Sequence, residues 1–428
     1  MKSLGALIGS LLKIPRKPAT STAKGRIFAV NDFDLPARAR NQELETDEVK
    51  TSAFLSWRYY ISLAIGPFLL SRLWCGIFLY WGHSQHAYLS PIEGGWEGVA
   101  NWWLNPFTTF DSRHFIDIAA HGYNAQTAAF FPLYPYFLRL AGSNPIAMAG
   151  WGIILSNLCF LAALPIFARL TERDYSPRVA RLAVWLLAFC PTTIYFSAVY
   201  TDAMFLLFFV AAFWNVRNRN WILAACWAFV ASLTRNAAPL LFLGLLLEYF
   251  TARKQGQKMT APIALAILAP IFALILAQGF IAVQVGDIAR GVTSQQEYYR
   301  VLTFPLFPIL LDLRDIFLLQ ARGIVILHLG ATLAAFILVA RAWKKQALSY
   351  SAMTIGLMLM HLTFGHTITP YTLPSARYLS SMFPFTQRVA VEVETLFSTR
   401  FRTTLVALMI LCVCAVISYL FGEKSFIG

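Results

Sequence analysis

From residue 57 onward the chain is dominated by long apolar runs separated by short polar turns. A bilayer core takes roughly 20 consecutive apolar residues per helix. Runs of that length, or somewhat short of it, fall at 57–80, 146–167, 182–197, 203–216, 221–233, 237–250, 263–285, 323–340, 348–365, 378–395 and 404–420. The pattern predicts an all-α polytopic membrane protein with about eleven transmembrane helices. The four runs between 182 and 250 read as two hairpins or as fewer, longer tilted helices. Polar positions collect in three places. Residues 1–56 form a polar tail, in which the short stretch 4–12 beside Lys13, Arg16 and Lys17 reads as an interfacial segment rather than a signal peptide. Two long polar–aromatic connections follow at 81–145 and 286–322, and no internal repeat is evident.

Composition agrees with this pattern. Of 428 residues, 58% are hydrophobic and 13% are charged, against about a quarter in soluble domains. A soluble enzyme, a secreted disulfide scaffold and a disordered chain are excluded. The six cysteines lie inside apolar segments without metal-ligand spacing and read as small core residues. The net charge of +14 is topological. With the amino terminus inside, the inner loops and helix ends hold twenty-five Lys and Arg against eleven acids, and the outer side holds ten of each. That is the positive-inside pattern, so the basic balance implies membrane lipids and no nucleic-acid partner. Both long connections then fall outside. Long loops on a rigid helical scaffold are where a site is expected.

The first outer loop carries the candidate chemistry. Its Trp-rich opening suits helices lying in the interface. If the chain is helical from Asp111, then Asp111, His114, Ile118 and His121 share one face, with Asp117 beside it and Gly122 as the stop. A carboxylate at an apolar boundary beside histidines is a candidate general base, because partial burial moves carboxylate pKa values toward the working range. A solvated polar helix face is the plain alternative. His114, Asp117 and His121 could also form a metal face, but histidines seven apart carry no motif strength. The expectation is no metal and no cofactor, with a divalent ion left open.

PheAspSerArgHisPhe at 110–115, HisGlyTyr at 121–123 and PhePheProLeuTyrPro at 130–135 resemble the first-loop signature of PIG-V-type mannosyltransferases. SerAlaValTyrThrAspAlaMetPhe at 197–205, AlaSerLeuThrArgAsn at 231–236 and SerAlaArgTyr at 375–378 extend the resemblance, in the family's order. Phe110 stands where relatives often carry Trp, and Asp202 where they often carry Glu. That family, which adds the second mannose in GPI-anchor synthesis and has bacterial relatives, belongs to the GT-C membrane glycosyltransferases. The resemblance implies a GT-C-like domain over 57–428 and a polyprenyl-phosphate-linked mannose or related hexose as donor. It also implies transfer on the extracytoplasmic side to a lipid, glycan or protein acceptor.

On that reading Asp111 deprotonates the acceptor hydroxyl in one inverting displacement. Arg235 and Arg377, at outer helix ends, bind the donor phosphate, as paired guanidinium donors suit phosphate oxygens; each could instead be a snorkelling anchor. Asp202 orients the acceptor, pairs with Arg235, or serves as a helix N-cap. His114, Asp117, His121, Tyr134 and Tyr378 complete the substrate-binding set, although interface belts alone account for Tyr at such depths. Arg72, inside the first span, faces the cavity or snorkels. The second outer loop, with Tyr298, Arg300, Asp312 and Asp315, covers a groove or is a solvated linker. A transporter or flippase of envelope glycan precursors is the main alternative, and a non-catalytic partner in glycan assembly the second. Ionisable groups at one face and an odd span count disfavour two transporter halves. The very short inner loops favour a bacterial plasma membrane over the endoplasmic reticulum.

Overall fold

The computed structural model describes residues 46–86, 99, 101–294, 298, 300–320, 323–343, 345–367, 370–372, 374–396 and 400–424. The interfacial segment expected at 4–12, and all of the tail to residue 45, lie outside these. Helices account for more than three-quarters of the described chain. The first, α1 (Thr46–His86), begins eleven residues ahead of the span expected from Trp57. The first connection holds α2 (Ser112–His121) and α3 (Leu133–Leu138), and the long α4 (Pro145–Asp174) follows. Next come α5 (Pro177–Ala188), α6 (Asp202–Arg217), α7 (Trp221–Ser232), α8 (Ala238–Lys254) and α9 (Ala261–Val285). The second connection contains α10 (Arg290–Thr293), β1 (Arg300–Leu302) and α11 (Phe307–Phe317). The chain ends with α12 (Gly323–Ala342), α13 (Leu348–Thr363), β2 (Phe364–His366), α14 (Ser375–Ser381), α15 (Phe383–Leu396) and α16 (Arg400–Gly422).

Local chemistry sets the boundaries. Asn144, Ser176 and Asn220 cap α4, α5 and α7 by accepting from backbone amides, with Pro145 and Pro177 at first helical positions. Gly286, at φ 79°, ends α9 in the left-handed conformation. Among the described residues, five helices are long and apolar enough to cross a bilayer, namely Trp57–Gln85, Pro145–Asp174, Ala261–Val285, Gly323–Ala342 and Thr404–Gly422. Trp221–Ser232 and Leu348–Thr363 are shorter apolar helices. The chain is an all-α polytopic membrane protein. Among the described residues one two-stranded sheet forms, the antiparallel pairing of β1 with β2 that sets Arg300 opposite His366.

Two runs read as single spans are broken. The run at 182–197 splits into α5, which stops at Ala188, and a 3-10 turn at Thr193–Phe196. Pro191 between them cannot donate to a helix ladder. Arg72 satisfies the opened backbone, donating to the carbonyls of Ala188 (3.4 Å) and Thr193 (3.2 Å), to Ser197 Oγ (2.7 Å) and to Thr193 Oγ1. The run at 378–395 divides at Met382, whose ψ of 85° leaves the helical region just ahead of Phe383-Pro384. The two breaks meet where the Thr192 hydroxyl lies 2.6 Å from Ser380 Oγ.

At the opposite helix ends, Arg217 of α6 lies 3.6 Å from Asp174 of α4 and 3.3 Å from Glu248 of α8, while Tyr350 of α13 donates to Asp174 at 2.8 Å. This buried network ties four helices together. The core between is close-packed and aromatic, with Phe160, Phe167, Phe196, Phe209, Phe213 and Phe383 all buried.

Candidate active site

Asp111 stands just ahead of the first turn of α2. The residue before it, Phe110, holds φ at 56°, a conformation that costs a bulky L-residue about 1–3 kcal/mol. Tyr200 stabilises the turn, accepting from the Asp111 amide (3.2 Å) and donating to the Thr109 carbonyl (3.1 Å). The Asp111 side chain is about one-third exposed and lines a cavity of about 1030 Å³.

Arg377, at the start of α14, joins two carboxylates. Its Nη1 donates to Asp111 Oδ2 at 2.9 Å, and its Nη2 to Asp202 Oδ2 at 2.9 Å. The rings of Tyr195 and Tyr200 each lie 4.6 Å from the guanidinium carbon of this buried cation and, with their centres 5.0 Å apart, pack against it together. Arg235, just after α7, donates through Nη1 to Asp202 Oδ1 at 2.9 Å and sits 4.8 Å from the Tyr378 ring centre. Asp202 is 1% exposed. Burial opposes its ionised form, but Arg377 and Arg235 outweigh that cost and hold its pKa below the usual carboxylate value. Two acids and two arginines from four separated segments thus form one hydrogen-bonded chain.

Asp111, His114, Arg235, Arg377 and Tyr378 all line the cavity. Asp202 lies behind them as the support of both arginines. His114 stacks on Phe130, ring centres 4.7 Å apart. Burial pushes its imidazole down to about 4, against the pull of Asp111, so the ring is neutral at ordinary pH. The remaining expected residues sit elsewhere. Asp117 and His121 pair with each other at 2.8 Å on an exposed helix face that does not line the cavity. Tyr134 is fully buried in the core, bonded to Ser156 Oγ (2.9 Å) and the Gly152 carbonyl (3.1 Å). Among the described residues no three His, Cys, Asp or Glu side chains are grouped to hold a metal ion.

Several lining residues are absent from the expected set. Arg113, Arg300 and Lys424 join Arg235 and Arg377, so among the described residues five Lys and Arg line the cavity against the single carboxylate of Asp111. Arg300 Nη2 donates to the Tyr378 hydroxyl at 2.9 Å. His361 and His366 are there too. Arg113 and Tyr200 lie inside the recognised motifs and were open to selection from sequence. Arg300, His361 and His366 lie outside every motif; the β1–β2 pairing sets Arg300 opposite His366, and His361 comes from the last turn of α13.

Fold and site together define a polytopic membrane protein with a cation-lined cavity whose wall is tied by an Asp–Arg–Asp bridge. The chain belongs to the Mannosyltransferase (PIG-V) family, whose model matches residues 57–285, just over half its length. It is 27% identical over 172 residues to GPI alpha-1,6-mannosyltransferase 2 of Mus musculus, covering 37% of this chain and 32% of that protein. The Rattus norvegicus protein of the same name is 24% identical over 218 residues, covering 47% and 42%. The matched regions therefore span less than half the length of these curated relatives. Among solved structures, ArnT from Cupriavidus metallidurans bound to undecaprenyl phosphate aligns with a TM-score of 0.42 and 11% identity, covering 88% of this chain and 76% of that one. The Archaeoglobus fulgidus oligosaccharyltransferase tethered to an acceptor peptide aligns with a TM-score of 0.42 and 12% identity, covering 86% and 55%.

Proposed function

We propose that the chain is a membrane glycosyltransferase that moves mannose, or a related hexose, from a polyprenyl-phosphate donor to an acceptor hydroxyl, with Asp111 as general base. The observation that carries this reading is the cavity's charge pattern. Among the described lining residues one carboxylate stands with five Lys and Arg, the lining expected where a phosphate leaves and a proton must be taken up. Arg377 holds one oxygen of Asp111, and Oδ1 takes no hydrogen bond from the described residues. In a single displacement the acceptor oxygen bonds to the anomeric carbon and its proton passes to Asp111. The bond from that carbon to the phosphate oxygen breaks, and the phosphate leaves with the electron pair. Configuration inverts.

Arg235 is the donor-phosphate ligand on this reading. Only its Nη1 is committed to Asp202, whereas Arg377 already bridges two carboxylates. Arg377 orients the base and supports the same phosphate with its remaining N–H groups. The acceptor is a lipid, glycan or protein hydroxyl at the membrane face. Positive charge on the opposite helix ends supports an extracytoplasmic site with the amino terminus inside. The compact inner loops favour a bacterial plasma membrane.

The test is transfer of labelled mannose from polyprenyl-phosphate mannose into a membrane extract, catalysed by the purified protein in proteoliposomes. Asp111→Asn is expected to lower the rate by about 10²–10⁴ at equal protein and unchanged thermal stability. Wild-type rates in the Asn variant would remove Asp111 as the base. Movement of the lipid across the bilayer without sugar transfer would make the protein a flippase.

A further inference from the structure

One wall of the cavity, built by β1, β2, the end of α13 and the start of α14, adds two imidazoles to the arginines. His361 and His366 both line the cavity, and both are at least nine-tenths buried. In each ring Nδ1 has no hydrogen-bond partner among the described residues. Buried polar atoms are paired in the great majority of cases, so such orphans call for an occupant. Thr109 Oγ1, close to Asp111 in sequence, is a third orphan on a lining residue.

The chemistry of that occupant follows from the protons. His361 Nε2 lies 3.0 Å from the Thr372 carbonyl oxygen. A carbonyl only accepts, so Nε2 carries the proton and the neutral ring presents Nδ1 as a lone pair. Burial, with Arg300 nearby, pushes the His366 imidazole down to about 4, so this ring too is neutral at ordinary pH. A neutral ring nitrogen bearing a lone pair needs a partner with a proton to give. A phosphodiester has none, but a hexose offers several hydroxyl groups, each both donor and acceptor. Arg300 and the Tyr378 hydroxyl supply the complementary donors on the same wall.

The spacing selects which sugar. The Tyr378 ring lies 4.8 Å from the Arg235 guanidinium carbon and 5.3 Å from the His361 ring. The histidine wall therefore begins one aromatic ring away from the cation assigned to the donor phosphate. In a sugar phosphate, the ring joined to the phosphate through its anomeric oxygen is the part that falls at that separation.

We infer that His361 and His366, with Arg300 and Tyr378, form a hydroxyl-reading subsite for the hexose carried by the donor. It is the specificity element of the proposed transfer and rests on that reading of the cavity. Arg235 holds the phosphate, and the histidine wall distinguishes a sugar-bearing lipid from the bare lipid phosphate that remains after transfer. The site thereby favours substrate over one of its own products.

The test compares binding of polyprenyl-phosphate mannose and bare polyprenyl phosphate to the full-length protein in nanodiscs, without acceptor. Wild type is expected to bind the mannosylated lipid about tenfold more tightly, the worth of one or two neutral hydrogen bonds. His361→Gln keeps a donor near the position of Nε2 for Thr372 and removes the Nδ1 lone pair. It should erase the preference while leaving affinity for the bare lipid unchanged. His361→Asn, which places an amide oxygen near the Nδ1 position, should retain most of the preference. The inference is overturned if the Gln variant keeps the preference, or if it weakens both lipids equally as a structural defect would. If His361→Gln does not accumulate, His366→Phe read by the same ratio decides. Failure of the wild type to bind either lipid would instead strike at the glycosyltransferase reading itself.

Discussion

Arg377 grips Asp202 with a forked hydrogen bond, Nη2 to Oδ2 at 2.9 Å and Nε to Oδ2 and Oδ1 at 3.2 and 3.3 Å, across 175 positions of sequence. The fork fixes the plane of the guanidinium, and that plane in turn sets where Nη1 meets Asp111. A buried acid that touches no cavity surface thereby determines the orientation of the residue proposed to do the chemistry.

Removing that acid leaves a buried cation short of a partner, which typically costs about 3–5 kcal/mol. Asp202→Ala is therefore expected to lower the midpoint of thermal unfolding in detergent and to abolish transfer. Asp202→Glu should recover part of the stability, since the carboxylate remains within reach of both arginines.

Arg235 is placed to act on the donor rather than on the base. Arg235→Gln should raise the donor KM about tenfold or more, the weight of a charge-assisted phosphate contact, with a smaller effect on kcat. Arg235→Lys should recover it only in part, because an ammonium cannot reproduce the guanidinium fork. Initial rates over a donor titration check both, and an unchanged KM would remove Arg235 from the donor site.

Arg72 is expected to act through backbone geometry. It satisfies the carbonyls opened where α5 stops, and the segment it holds carries Tyr195 and Tyr200, the rings beside Arg377. Arg72→Met should cost about 2–3 kcal/mol of stability, as expected for hydrogen bonds to a charged group. It should lower kcat more than it raises KM, and Arg72→Lys should restore part of each. Equal thermal stability in the Met variant would count against this role.

His114 sets an acid limit. Its folded-state pKa of about 4 lies below the ordinary 6.5, so the unfolded chain binds the extra proton first as pH falls. The contribution of the neutral buried ring is complete above about 6.5 and is lost as pH drops toward 4. His114→Phe should flatten the fall of the unfolding midpoint across that window while leaving the value at pH 8 little changed. A fall as steep in the variant as in wild type would assign the acid limb to other groups.

Much of the architecture was legible because a bilayer imposes one dominant rule. Each spanning helix must be apolar over its whole length, and the runs at 146–167, 263–285 and 323–340 each fall within one long helix. The Gly122 stop after α2 was equally plain, since glycine tolerates the φ of 89° found there. The runs at 182–197 and 378–395 misled for a physical reason. Hydropathy measures whether a segment is comfortable in hydrocarbon and says nothing about whether its backbone is continuous. Pro191 and Pro384 marked the breaks, but the donors that make the first of them tolerable come from Arg72, more than a hundred residues away.

The same division runs through the site. By itself the sequence determined that the chain lives in a membrane, which residues carry charge at its helix ends, and that Asp111, Asp202, Arg235 and Arg377 belong to one set of motifs, because apolar length and local residue order are properties of contiguous chain. Tertiary structure alone decided that those four share a single hydrogen-bonded chain, that Tyr134 is sealed in the core while Asp117 and His121 face outward together, and that Arg300, His361 and His366 line the same cavity as Arg113. Those outcomes depend on distances between segments far apart in sequence. Burial, partner and exposure are set by what the rest of the fold brings alongside a side chain, and no local pattern encodes that neighbour.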